Sequence, residues 1–388
     1  MTAAPRALRL DRLGTLLTVL GLLALIFLPF LVFKVNRIMP GEAHSLAGAL
    51  SFGWAAAFYA VLALAGAVAV LGRDARVRLG FALLALIAVL VAIAAAADAL
   101  TPEGNRMVRI APGSGFWLLF LCVGLFTTDA IARLNPGPGL RVLGLVAVAL
   151  LAWAAFASGL FDHLSIMREY AGNASRFGRE ARQHVLLALG SLTSAVIVAL
   201  PLGVLCHRLP RIRAAVLQVL NLIQTIPSIA LFGILMVPLG ALATAVPLAA
   251  DLGIAGIGAA PAVIALFLYS LLPIVANTVV GLARIPAATV EAARGMGLTP
   301  WQVLGHVELP LALPVILTGI RIVLVQNIGL VTIAALIGGG GFGTFVFQGM
   351  GQTAIDLVLL GAIPTVALAF SSALLLDALV DVMKKAPS

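Results

Sequence analysis

Apolar runs of about twenty residues recur from one end of this chain to the other, and that repetition limits what it can fold into. A helix needs roughly 20 mostly apolar residues to cross the hydrocarbon core of a bilayer. Ten runs qualify: 13–33, 48–71, 79–97, 115–132, 140–161, 184–206, 214–240, 255–282, 310–336 and 357–380. A water-soluble fold could not hide so much apolar surface, whereas a lipid-facing one has no need to. Composition agrees: 62% of the 388 residues are hydrophobic and only 10% are charged, where soluble domains carry about 25%. Mean hydropathy is +1.15. The expected fold class is all-α, a polytopic integral membrane protein of about ten transmembrane helices. Runs 214–240 and 255–282 are long enough to tilt or break, and they hold Pro227, Pro238, Pro261 and Pro273. Proline kinks are tolerated in membranes.

The charges between the runs set an orientation. Arg6, Arg9 and Arg12 precede the first run, as in a signal peptide. That run exceeds a signal core of roughly 7 to 15 residues, however, and no A-x-A site follows it, so a retained helix is expected. With the N-terminus inside, 15 basic residues fall in cytoplasmic segments: Arg6, Arg9, Arg12, Arg73, Arg76, Arg78, Arg133, Arg141, Arg208, Arg211, Arg213, Arg284, Arg294, Lys384 and Lys385. Eight fall outside: Lys34, Arg37, Arg106, Arg109, Arg168, Arg176, Arg179 and Arg182. The positive-inside rule then favours ten spans with both termini cytoplasmic, and Glu103, Arg176 and Asp251 outside. The net charge of +9 is a property of these loops and calls for no nucleic acid. Cys122 and Cys206 lie in apolar runs, which argues against a disulfide framework. The excess of Arg over Lys, with abundant Ala and Gly, points to a GC-rich bacterial genome.

Three segments follow: a membrane extension of about five helices at 1–161, an external polar segment at 162–183, and a core at 184–382. The polar segment mixes Asp162, Arg168, Glu169, Arg176, Arg179, Glu180 and Arg182, which reads as a solvated or surface-lying helix.

The core's longest cytoplasmic loop, 284–309, carries the most specific pattern. Glu291-Ala292-Ala293-Arg294-Gly295-Met296-Gly297 is followed by nine residues and then Val307-Glu308-Leu309-Pro310. Pro286 suits an early helical position, so a short helix is expected over 287–296. Ala292 and Ala293 give it a smooth surface that another protein could approach, and Gly297 can end it in a left-handed turn. Thr299-Pro300-Trp301-Gln302 fits a capping box with proline at the first helical position, opening a second short helix. Leu309-Pro310 then leads back into the membrane.

This loop resembles the EAA motif of permeases in ATP-binding-cassette (ABC) importers: EAA, three residues, Gly, nine residues, I-x-L-P. Only Val307, standing for Ile, departs from it. The resemblance implies a type I importer permease core. In that family Glu291, Ala292, Ala293, Arg294, Gly297, Thr299, Pro300, Leu309 and Pro310 would form the knob that docks into an ATPase subunit. The runs Gln183–Leu205, Leu220–Ser228, Pro261–Leu282, Glu291–Gln302 and Thr332–Gln348 look like the osmoprotectant branch, which moves glycine betaine, choline, carnitine or proline-like solutes. The likeness covers about 183–380. The five N-terminal spans are an extension that shorter members lack and some longer relatives carry. The implied partners are a cytoplasmic ATPase dimer using ATP and Mg, a second permease subunit (the same or different), an extracytoplasmic binding protein and membrane lipid. The implied location is the bacterial cytoplasmic (inner) membrane.

Other patterns lead elsewhere or nowhere. Gly338, Gly340 and Gly343 satisfy G-x-G-x-x-G, but a dinucleotide site needs a soluble βαβ unit and an acidic partner; a close-packed or flexible turn is expected instead. No G-x-x-x-x-G-K-[ST] occurs, so ATP hydrolysis belongs to another chain and no cofactor is expected here. His184, His207 and His306 lack metal-ligand spacing, so no metal site is expected. No paired carboxylates or nucleophile–base set point to catalysis. Polar residues inside spans are candidates for the solute path: Gln224, Asn277, Arg321, Gln326 and Asn327. Asn and Gln in spans also serve as ties between helices. Arg321 lies about 16 Å along an ideal helix from Pro310, and a central charge costs about 2.5–3.5 kcal/mol. It should face protein or water, or snorkel if its helix begins below the membrane. An ion-coupled secondary transporter would need mid-membrane acids and inverted repeats, whereas Asp98, Asp129 and Asp251 lie near span ends. The same machine carrying an amino acid is the nearer alternative.

Overall fold

The computed structural model describes residues 10–36, 39–102, 104, 105 and 107–385. Arg6, Arg9, Arg37, Glu103 and Arg106, which entered the orientation argument, lie outside them. Among the described residues nine helices are long and apolar enough to cross a membrane, with a shorter apolar helix at Arg12–Phe27. The chain divides into two compact units, Met1–Leu140 with Val146–Gly172, and Arg141–Leu145 with Asn173–Ser388.

The first unit contains α1 (Arg12–Phe27), strands β1 (Leu31–Lys34) and β2 (Glu42–His44), α2 (Leu46–Ala49), α3 (Phe52–Leu71), α4 (Ala75–Leu100), β3 (Arg109–Pro112), α5 (Ser114–Leu134) and most of α6 (Pro138–Ala157). The expected first span, 13–33, is not one helix. Leu28 turns extended because it precedes Pro29, and that position disfavours helix. The 16-residue α1 is about 24 Å long, short of the roughly 30 Å hydrocarbon core. The apolar residues after it instead form the central strand of a small antiparallel sheet, ordered β2-β1-β3, with Val32 opposite Ala43 and Ala111. Nothing in the apolar pattern distinguished these four residues from helix.

The core of this unit runs along α4, where Ala85, Ala88, Val89, Ala92, Ile93, Ala96 and Ala97 are buried. Small side chains let neighbouring helix backbones approach closely. Gly14 shows how close: a Cβ there would sit 1.9 Å from the Ala69 carbonyl oxygen of α3. At the start of α4, Arg78 is fully buried. Its guanidinium donates to the carbonyls of Ala69 (2.7 Å) and Gly72 (3.2 Å) and to Asp129 (2.7 Å). Arg133 bridges Asp129 (2.8 Å) and Asp11 (2.6 Å). Arg78 is therefore a structural ion rather than a bare loop charge.

The second unit contains α7 (Ser165–Arg208, from Asn173 on), α8 (Pro210–Thr225), α9 (Ser228–Ala245), α10 (Pro247–Asp251), α11 (Ala259–Ala283), α12 (Ala287–Gly295), α13 (Pro300–Val303), α14 (Leu309–Ala334), α15 (Gly343–Gly351) and α16 (Ile355–Lys385). One open reading resolves and one expectation needs correction. The run 214–240 is not continuous: the chain is extended at Ile226 and Pro227, between α8 and α9, where proline disfavours helix in the residue before it. The polar segment 162–183 does not lie on a surface as a separate helix. It is the first half of the 44-residue α7, about 66 Å long. The core centres on α11, whose Leu266, Ile274 and Val275 are fully buried. Gly319 of α14 meets α11 so closely that a Cβ would stand 2.8 Å from the Asn277 Cβ and 2.9 Å from the Pro273 carbonyl oxygen.

Candidate functional site

The loop 284–309 is a helix, a turn and a second helix, each ended by local chemistry. Helix α12 closes with both bonds of a Schellman motif: the Gly297 N–H donates to Arg294 (2.9 Å) and the Leu298 N–H to Ala293 (3.3 Å). Gly297 has φ 86°, a left-handed conformation that costs other residues about 1–2 kcal/mol. Thr299 caps α13 reciprocally: the Gln302 N–H donates to its hydroxyl (3.4 Å), and its own N–H donates to the Gln302 side chain (2.8 Å).

The second helix is not a separate short one. It passes through a π-helical turn, Leu304–Glu308, directly into α14. Pro310 has no N–H for the carbonyl of residue 306, and a widened turn is one way a helix absorbs that loss. The two alanines also differ: Ala292 is exposed, whereas Ala293 is 2% exposed and packs within the loop. Glu291, Arg294, Thr299, Pro300 and Pro310 are exposed and Leu309 is half-buried against Leu304 and Ile316. Two residues that motif matching passed over stand out furthest, Met296 (76% exposed) and Trp301 (81%). An exposed Trp in a charged loop was the signal available for them.

Glu308 is the variable position of the motif, yet its side chain is 4% exposed and pairs with Arg208 at the end of α7. Neither residue was singled out by sequence.

The polar residues of the spans are mostly occupied with one another. Asn327 is fully buried and donates to the hydroxyls of Ser191 (3.1 Å) and Ser270 (3.0 Å), which ties α14 to α7 and α11. Gln224 donates to the Tyr269 carbonyl at 2.7 Å, and Asn277 to the Pro273 carbonyl at 2.8 Å. Gln326 is half-buried. Arg321 pairs with Asp377 of α16, and Asp377 also lies 3.5 Å from Arg141, which reaches Asp381 at 2.9 Å. Arg321 thus faces protein and a counter-charge. Asp377 was hidden from a search for helix-end acids because it falls inside the last apolar run.

At the opposite end of α14 the glycine-rich stretch is a packed turn. Gly338, Gly340 and Gly341 all have positive φ, and a Cβ on Gly343 would lie 1.9 Å from the Thr332 carbonyl oxygen. Residues of α7 hold it. Glu180 accepts from the Gly341 N–H (2.7 Å) and the Thr344 hydroxyl (3.2 Å), and Gln183 donates to the Gly339 carbonyl (3.2 Å).

Membrane-length helices with a capped helical knob between two of them are the arrangement a transport permease would need. Residues 196–386 match the family described as binding-protein-dependent transport system inner membrane component. Residues 11–167 match the N-terminal domain of ABC transporter permease YehY. The carnitine transport permease protein OpuCD of Listeria monocytogenes is 39% identical over 208 residues, 53% of this chain and 86% of that protein. The osmoprotectant import permease protein OsmW of Salmonella typhimurium is 45% identical over 191 residues, 49% of this chain and 84% of OsmW. Of solved structures, the inward-facing MetNI methionine ABC transporter aligns over 53% of this chain and 95% of that one, with 23% identity and a TM-score of 0.44. The chain belongs to the binding-protein-dependent inner-membrane permeases of ABC importers.

Proposed function

We propose that this permease imports a small osmoprotectant, a quaternary ammonium compound such as glycine betaine or carnitine, and that loop 284–309 couples it to ATP. The observation that carries the reading is the knob: a Schellman-closed helix and a box-capped helix, rigid in themselves and continuous with α14. The likeness to a carnitine permease and an osmoprotectant permease supports the cargo class. Two permease subunits pair, each offering one knob to one subunit of a cytoplasmic ATPase dimer, which uses ATP and Mg. Both termini are cytoplasmic, with α1 crossing as a short tenth span whose start lies beside the end of α3, where the Asp11 N–H donates to the Val70 carbonyl (3.0 Å). ATP binding closes the ATPase pair, draws the knobs together and opens the solute path outward to an extracytoplasmic binding protein; hydrolysis resets it. This chain supplies a two-state element biased by both partners.

Exposed Glu291, Ala292, Arg294, Met296 and Trp301 form the docking surface. Ala293, Gly297, Thr299, Pro300, Leu309 and Pro310 hold its shape. Among the path candidates, Gln326 and the Arg321–Asp377 pair are open enough to meet solute, whereas Asn327 and Gln224 tie helices together and Asn277 bonds within α11. In this reading the 1–161 extension supplies no residue to the path. The test is to purify the chain with its ATPase and binding protein and measure ATP hydrolysis against solute. Betaine- or carnitine-loaded binding protein is expected to stimulate it; stimulation by amino acids alone would overturn the cargo assignment.

A further inference from the structure

Within the second unit α7 runs antiparallel to α14 and is fastened to it, or to the turns that flank it, at four depths. At one end Arg208 pairs with Glu308, in the π turn that opens α14. In the middle the Ser191 hydroxyl accepts from Asn327 (3.1 Å). Further along, the buried His184 ring sits between the Ile328 carbonyl (Nε2, 3.0 Å) and the Phe342 N–H, which donates to Nδ1 (3.2 Å). This fixes a neutral tautomer with its proton on Nε2. Last, Glu180 and Gln183 hold the glycine turn beyond α14. A Cβ on Gly341 would stand 3.0 Å from the His184 Nδ1, and one on Gly340 3.0 Å from the Gln183 Cγ, so the turn fits this helix only without side chains.

A helix pair tied at one depth can pivot or slide; ties at four depths remove both motions. The stretch of α7 from Arg208 to Glu180 covers about 42 Å, enough to reach from one side of a membrane core to the other. Its weak point is Pro201, which has no N–H for the carbonyl of residue 197. The ionic joint lies beyond that point. The last two turns of α7 also pack, through Gly203 against Thr278 and through buried Cys206, and the ion pair is the polar tie that joins them to the loop itself.

We propose that α7 and α14 move as one strut, with Arg208 and Glu308 as positioning residues. The strut carries a displacement of loop 284–309 to the glycine turn at the far end. The inference rests on the coupling-loop reading given above. It predicts which residues matter after the ATPase has docked, a step that the knob surface does not control.

The test reconstitutes the permease with its ATPase and carnitine-loaded binding protein in vesicles and counts solute imported per ATP hydrolysed. The variants are Arg208→Gln, Glu308→Gln, Arg208→Lys and Glu180→Gln, with Gly297→Asp alongside. Arg208→Gln and Glu308→Gln should still bind the ATPase but import about tenfold less solute per ATP, within the usual range for coupling between sites. Arg208→Lys, which keeps the charge, should recover most of the loss, and Glu180→Gln should lose less. If Arg208→Gln fails to insert, Glu308→Gln keeps the shape, removes only the charge and gives the same readout. Normal import per ATP in Glu308→Gln, or equal loss in Arg208→Lys and Arg208→Gln, overturns the strut. If Gly297→Asp has meanwhile lost ATPase binding, the coupling-loop reading survives that result. Normal binding and uptake in Gly297→Asp overturns the reading and the strut together.

Discussion

The two units of this chain solve the same problem, holding apolar helices together where the hydrophobic effect cannot, in different ways. The N-terminal unit gathers its polar fastenings at two places: one cluster, Asp11, Arg78, Asp129 and Arg133, and the small sheet with its neighbours, where Arg168 donates to the Val108 carbonyl (2.6 Å) and His163 meets Asp98 (3.3 Å). Between them it relies on alanine and glycine contacts. The second unit spreads single polar ties through its depth: Arg208–Glu308, Asn327 with Ser191 and Ser270, His184 with the Ile328 carbonyl, and Glu180 with the glycine turn. Concentrated ties make a clamp, whereas distributed ties make a body that moves without deforming. On the proposed reading, the first unit is support and the second carries the motion.

The largest expected effect lies in the loop. Gly297→Asp forces a side chain into a left-handed turn, at about 1–2 kcal/mol, and redirects Thr299 and α13. It should leave the permease in the membrane, abolish betaine uptake and weaken ATPase co-purification. Ala293→Asp should do likewise, by placing a charge in the loop's own packing. Ala292→Asp, on the exposed face, should weaken docking alone. If all three transport normally, the second unit loses its assigned role.

The clamp comes next. Arg78→Leu leaves Asp129 short of its buried partner, and breaking a buried pair costs about 3–5 kcal/mol. The thermal midpoint of the purified chain should fall, while uptake per surviving molecule stays near normal. A specific loss of transport at normal stability would move the first unit into the working machinery. Asn327→Ala should cost less, about 0.6–2 kcal/mol, read as a lower midpoint.

The smallest effect is one of pH. Burial pushes the Asp11 carboxyl up, but the Gly14 N–H, Arg133 and Arg78 outweigh it and hold it below its ordinary range. Its contribution is therefore complete above the ordinary carboxylate pKa and lost as pH falls through the folded value. Asp11→Asn should lower the thermal midpoint at neutral pH and converge with the parent in acid. A gap that persists in acid would show that packing, not charge, holds α1.

Much of the architecture was legible because lipid imposes a simple length rule, and the loop was legible because caps are local chemistry: Gly297, Thr299 and Gln302 each act on their near neighbours. What escaped was non-local or ambiguous. Leu31–Lys34 reads as the tail of a span until Pro29 is taken as a stop. Segment 162–183 reads as surface because its charges mask a face that grips the glycine turn. Arg176, a bare external charge by sequence, donates to Gln348 at 2.7 Å and covers the Phe345 ring. The pairings Arg208–Glu308 and Arg321–Asp377 join residues 100 and 56 positions apart, and nothing in a single sequence links them.

The central claim is that loop 284–309 faces the cytoplasm, where an ATPase can reach it. Arg294 is exposed at the end of α12, and the native thiols of Cys122 and Cys206 are buried, so Arg294→Cys offers one accessible thiol for a membrane-impermeant maleimide. Labelling in inside-out vesicles, and none in right-side-out ones, is the predicted result. Labelling from the outside would contradict the account, because the knob would then lie across the membrane from any ATP.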